Sequence, residues 1–248
     1  MSLVDVLMTL IAVPFKVRGF MTGVLDQVNH ISSYTSKLLR KKFGRGPESC
    51  SGTLSKRYLL LHIRGFISPM EEVLLQQGKS NDVDNARAVV VANVLEELKG
   101  VVQVSLDVDV IEYYHDWNFP NNTGVIILVF EEELNHTENF VKINNVQEFE
   151  KEIARISALV QKVPDEMETI PLSDKILLVR RDGILIQIEK ALIAKGYKNE
   201  LLITKDQLEK EYFHRYSKFT EILSRNVRDI FIDWDVHEDK SYMVFILQ

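Results

Sequence analysis

The chain has a single cysteine, Cys50, among 248 residues, so it cannot close an internal disulfide, and its thiol stands apart from other metal-ligating side chains. That scarcity argues against a disulfide-stapled secreted domain and predicts a reducing, cytoplasmic setting. Long apolar runs are missing too. The longest near the N-terminus, Val6 to Phe15, is too short to span a bilayer and contains Pro14. No basic n-region precedes it, since Asp5 stands there, so a secretory signal is not expected.

Catalytic signatures are equally sparse. There is no G-x-S-x-G elbow, no H-E-x-x-H and no paired C-x-x-C. The stretch GRGPESCSG at 44–52 contains G-x-G but lacks the third glycine and the preceding strand of a dinucleotide loop. Each absence removes an indispensable part of an active-site recipe, so no resident cofactor is expected. The strands also lack the exposed aromatics of a plait that stacks RNA bases.

What the chain does have is an uneven charge. Residues 1–57 carry nine Lys/Arg and three acids, +6, whereas the rest carries 21 basic and 33 acidic residues, −12. Within the basic part, Phe20, Met21, Val24, Leu25, Val28, Ile31, Thr35, Leu38 and Leu39 recur at helical spacing. A shorter helix is expected before it, on Leu3, Leu7, Leu10 and Ile11. The longer helix closes on Lys37, Arg40, Lys41 and Lys42, suited to the negative end of a helix dipole, followed by Gly44 and Arg45.

Beyond it, residues 44–57 read as a linker. YLLLHI at 58–63 predicts a strand, Asp84 to Leu98 a helix, and Val101 to Tyr114 an alternating strand with Gln103, Ser105, Asp107 and Asp109 on its polar face. VIILVF at 125–130 returns as a strand, a helix follows to Val163, and KILLV at 175–179 is the next strand. The order β-α-β-β-α-β is that of a ferredoxin-like plait. The remainder predicts a helix from Ile184, a short strand at Leu201–Ile203, a helix to about Ser224, and strands at 229–236 and 242–247.

The expected fold is therefore α+β: a helical arm (1–43), a linker (44–57), a ferredoxin-like domain (58–181) and a second α+β unit (182–248). LLLHIRG at 59–65 rhymes with LLVRRDG at 177–183, and Asp107/Asp109 with Asp233/Asp235, which suggests an internal repeat. Tandem winged-helix-like units are the alternative, with Tyr216 to Ser224 as recognition helix.

Three functional readings compete. The first is a non-catalytic interaction or assembly protein that docks to a partner through its basic amphipathic helix, with Lys37, Arg40, Lys41, Lys42 and Arg45 as contacts. Peripheral contact with an anionic membrane is a second use of the same helix. The competing reading is a divalent-metal enzyme on phosphate esters, in which Asp107, Asp109, Asp233 and Asp235 hold Mg²⁺ or Mn²⁺. Residues two apart in a strand share a face, so each pair presents two carboxylates together; a solvated polar face explains the same pattern. A winged-helix DNA binder ranks last, because the acidic C-terminal half opposes phosphate contact.

Overall fold

A computed structural model describes residues 15–134 and 143–248, with side chains from residue 23 onward. The short helix expected on Leu3 to Ile11, and the side chains of Phe20 and Met21, lie outside the described residues.

Helix α1 (Phe15–Phe43) buries Val28, Ile31, Leu38 and Leu39 along one face. The buried Ser32 and Thr35 hydroxyls on that face donate to the carbonyls of Val28 and Ile31, so the helix satisfies its own polar groups. It lies on β1 (Ser49–Ser55), which occupies half of the stretch expected to be a linker. Ser-Cys-Ser-Gly-Thr reads as loop by composition, yet it suits an edge strand under a helix. A Cβ at Gly52 would meet Val28 Cγ1 at 2.5 Å and Ser32 Oγ at 2.8 Å, so glycine lets α1 approach.

Strand β2 (Tyr58–Arg64) pairs with β1, and then come α2 (Pro69–Gln76), α3 (Ser80–Leu106), β3 (Val110–Asn118) and β4 (Thr123–Phe130). The alternating strand expected at 101–114 is a correction. The chain stays helical through Leu106, because Val91, Leu95, Leu98 and Val102 continue a buried helical stripe. Asp107, at φ 55°, caps the helix in the left-handed region, and only then does β3 begin.

The second half repeats the path: α4 (Val146–Val160), β5 (Glu166–Ser173), β6 (Ile176–Asp182), α5 (Gln187–Ala194), α6 (Lys198–Tyr216), α7 (Phe219–Leu223), β7 (Val227–Asp235) and β8 (Lys240–Leu247). The short strand expected at Leu201–Ile203 lies inside α6.

The chain is α+β and built of two similar units, as expected, but the first runs α-β-β-α-α-β-β, the second adds the short α7 before its last two strands, and neither runs β-α-β-β-α-β. The two sheets are four-stranded and antiparallel, ordered β1-β2-β4-β3 and β5-β6-β8-β7. The winged-helix alternative fails on the same ground. Residues 216–224 are split between α6 and α7, and the β7–β8 hairpin belongs to a sheet buried on both faces.

Equivalent positions lie 117 or 118 residues apart, and their hydrogen bonds repeat. Gly65 and Gly183, at φ 67° and 63°, donate to the carbonyls of Asn122 and Asp239, themselves both at φ 50°. A side chain at either glycine would be strained by that backbone and would run into the Glu48 or Asp165 carboxylate. Glu71 and Glu189 reach back to the backbone N–H groups of Ser68 and Ile186 and also hold Arg87 and Lys205.

The layers follow from which residues point where. Alternate side chains of β2, β4, β6 and β8 face the other sheet; Leu60, Ile127, Leu178 and Val244 form part of the core between the sheets. The other side chains face helices: Leu59, Leu61 and Leu128 meet α1 and α3, while Leu177, Met243 and Phe245 meet α4, α6 and α7. The four layers run helix, sheet, sheet, helix. Central strands apolar on both faces are what VIILVF and YMVFIL require, each buried Leu, Ile, Val or Phe contributing about 1.5–3 kcal/mol.

Candidate functional site

The edge strands β3 and β7 meet where the units join. Each carries an Asp-Trp pair, Asp116-Trp117 and Asp233-Trp234, which use the only two tryptophans of the chain. Asp116 Oδ2 accepts from the Ile232 N–H at 2.8 Å, and Asp233 Oδ2 accepts from the His115 N–H at 2.8 Å. Their second oxygens accept from the N–H groups of Trp117 and Trp234, at 2.6 and 2.7 Å. Ile232 and His115 are equivalent positions, so the exchange is reciprocal and defines a pseudo-two-fold axis between the units. Side-chain carboxylates here occupy N–H groups that a further strand would otherwise pair with.

A cleft of about 890 Å³ opens on this axis. Equivalent residues from both units line it: Asp116 with Asp233, Trp117 with Trp234, and α3 opposite α6. The walls have nevertheless diverged. Asp84 of α3 corresponds to Leu202 of α6, Ala88 to Asp206, and Ala92 to Lys210, while His115 stands where β7 has Ile232. One lysine and four aspartates gather as a result.

Lys210 Nζ lies 2.7 Å from Asp116 Oδ1, 2.8 Å from Asp206 Oδ1 and 3.4 Å from the Trp117 carbonyl. Burial opposes its charge, but Asp116 and Asp206 outweigh burial and raise the ammonium above its usual range. Burial pushes Asp116 up to about 6 against the pull of Lys210, and Asp206 up to about 7 with the nearby Asp116 charge adding to the effect. Asp233 is also pushed up to about 7 by burial, despite its two backbone donors, and Asp84 to about 6.

His115 is pushed down to about 4 by burial, so its ring is neutral at pH 7, and its buried Nδ1 has no partner among the described residues.

The two aspartate pairs expected to bind metal are not brought together, although Asp107 and Asp109 themselves line one small pocket with Glu131 and Glu132. Asp107 caps α3 and Asp109 precedes β3, where Asp109 accepts from Gln103 Nε2 at 2.8 Å. Asp233 lies across from His115, six residues further along, which at strand rise is roughly 20 Å. Asp235 accepts from the His237 and Glu238 N–H groups and closes the β7–β8 turn. Among the described residues, no three His, Cys, Asp or Glu are placed to hold a metal ion. Cys50 is pushed up to about 12 by burial, which keeps it a thiol and a poor nucleophile.

The basic residues at the end of α1 do share a surface. Lys37, Arg40, Lys41 and Arg45 are exposed, while Lys42 reaches back to Glu97 at 2.6 Å and Asn93 at 2.5 Å on α3.

The sequence reading missed Asp84, Asp116, Asp206 and Lys210. The signal for Asp116 was present, because both tryptophans follow an aspartate, 117 residues apart, one residue short of the 118 that separates LLLHIRG from LLVRRDG. The repeat pairs Asp233 with Asp116, and not with Asp107.

No helix of the described residues is long and apolar enough to cross a membrane. No curated protein and no solved structure matches the chain. One family model does, described as "Na+-translocating membrane potential-generating system (MpsC)", over residues 27–132 and 144–248. Each matched stretch falls on one of the two units, and together they take in most of the sequence. The chain belongs to the MpsC family.

Proposed function

We propose that this protein is a non-catalytic assembly subunit, cytoplasmic, that docks onto a protein partner through the basic end of α1. The observation that carries the reading is the outward cluster of Lys37, Arg40, Lys41 and Arg45 on a helix whose apolar face is buried in its own unit from Val28 to Leu39. That burial makes the basic surface, and not the apolar stripe, the part free to meet a partner. The partner surface is correspondingly acidic, and the contact is electrostatic in onset and sensitive to salt. The family description supports an assembly context, since it names a system and not a single reaction.

The test compares the full chain with a Lys37→Glu/Arg40→Glu/Lys41→Glu variant, each tagged and purified from detergent-solubilised cells of its host at low and high salt. The wild type is expected to retain a defined partner at low salt and to release it near about 0.5 M, where the Debye length has shrunk to roughly 4 Å. The variant loses the partner at an unchanged melting temperature. Equal retention by both forms overturns the reading. Sedimentation of the wild type with anionic vesicles, without any protein partner, assigns the surface to a membrane instead.

A further inference from the structure

We propose that the cleft on the pseudo-two-fold axis binds a small organic cation, an amine or guanidinium on an apolar body, with Asp84 and Asp206 taking the charge. The inference stands apart from docking at α1, because it uses a different surface and different residues.

Size and lining set the ligand class. About 890 Å³ is far more than a bare ion fills and matches pockets for small organic ligands. Leu75, Phe119, Leu202, Ile203 and Trp234 supply apolar wall for an organic body.

Charge sets the sign. Asp84 from α3, Asp116 from β3, Asp206 from α6 and Asp233 from β7 line the cleft together with Lys210, which pairs with Asp116 and Asp206 alone among them. Glu211 and His214 also line the cleft. Lys210 is divided between Asp116 and Asp206, and Asp233 is taken up by two backbone N–H groups. Asp84 has no hydrogen bond or ion pair among the described residues. Its carboxylate faces a half-apolar cleft, where an incoming cation gains more than it would in water.

The internal repeat supplies a control within the chain. At the positions of Asp84, Asp206 and Lys210 the other unit has Leu202, Ala88 and Ala92, yet the backbone path is the same. The fold therefore does not need these polar groups. The His115 Nδ1, buried at the wall with no partner among the described residues, is a further polar atom left open to a ligand. On a neutral ring that nitrogen can accept a hydrogen bond from a bound ammonium.

Calorimetry and thermal melts at pH 8 and constant ionic strength test the proposal, with phenethylamine and agmatine as cations, phenethyl alcohol as the neutral counterpart, and NaCl, KCl and MgCl₂ as simple ions. Saturable binding of an amine is expected, with a rise in melting temperature, and no response to the alcohol. Asp84→Asn should weaken binding by about tenfold or more, consistent with loss of one charged contact. Asp84→Leu, which copies the other unit, should abolish binding while the protein stays folded. The α1 charge reversals should leave binding unchanged. The proposal is overturned if neither amine binds, if the alcohol binds as well, if simple ions reproduce the effect, or if Asp84→Asn binds like the wild type.

Discussion

Asp116 and Asp233 each hold the other's strand: the Asp116 carboxylate accepts from the Ile232 N–H and the Asp233 carboxylate from the His115 N–H, both at 2.8 Å. The two residues are equivalent in the repeat, and the bonds cross the junction between units. They fix the relative register of two edge strands that belong to different sheets. Asp233→Ala leaves the N–H groups of His115 and Trp234 without acceptors, at about 1–3 kcal/mol for each buried donor. Urea denaturation should therefore show a loss of about 2–6 kcal/mol, and a wild-type midpoint would contradict the reciprocal lock.

The same cleft makes stability depend on pH. Asp116 and Asp84 are raised to about 6, and Asp206 and Asp233 to about 7, so between about pH 4 and pH 7 these groups bind more protons in the folded chain than in the unfolded chain. Their contribution to stability then falls as pH rises through that window and levels off above it. His115, held down to about 4, works the other way below its ordinary value, so the aspartates are best isolated by substitution. Melting temperatures at pH 5.5 and pH 8 should show the higher value at the acid end for this cluster's contribution. Asp206→Asn, which cannot ionise, should reduce the difference; an unchanged difference would remove Asp206 from the account.

In the second unit, Arg181 is fully buried, pairs with Glu209 at 2.8 Å and reaches Ser157 at 3.3 Å. At the equivalent positions the first unit has Ile63, Val91 and Leu39, all buried in its core. Arg181→Ala leaves Glu209 buried with Lys205 as its one remaining ion pair and the Gln161 amide as a neutral donor, and should cost about 3–5 kcal/mol. Copying the first unit with Ser157→Leu, Arg181→Ile and Glu209→Val together should be neutral, or stabilising by about 1–4 kcal/mol. Chemical denaturation of the single and triple variants separates a specific polar network from an interchangeable one.

Glu71 and Glu189 make the same contacts in the two units but with unequal support. Arg87 pairs with Glu71 at 2.7 Å and otherwise donates to the Phe66 carbonyl. Lys205 pairs with Glu189 at 3.0 Å and with Glu209 at 3.3 Å. Glu71→Ala should cost about 3–5 kcal/mol by stranding a buried guanidinium, and Glu189→Ala should cost less, because Lys205 keeps an acid. Equal losses on denaturation would show that the second acid contributes nothing.

Much of the apolar framework of both units was legible in the sequence. The apolar strands β4, β6 and β8, the helix that became α4 and the LLLHIRG/LLVRRDG repeat all follow from local pattern. In the second unit the strand expected at Leu201–Ile203 is helix and β5 was not foreseen, and the first half misled at two places. Ser-Cys-Ser-Gly-Thr looked like loop because nothing local reveals that α1 lies on it, and Val101 to Leu106 satisfied the helical and alternating patterns at once. In the second case the buried stripe through Leu98 and Val102, a tertiary contact, selects the helix.

The α+β class, the repeat and the split between a basic N-terminal segment and an acidic remainder follow from periodicity and composition along the chain, and need no contact between distant residues. Folding in three dimensions is what makes Asp233 answer Asp116 and not Asp107, and what brings Asp84, Asp206 and Lys210 to one cleft. A carboxylate takes its role from the donors it meets, and here the donors that join the two units lie more than a hundred residues away in the chain.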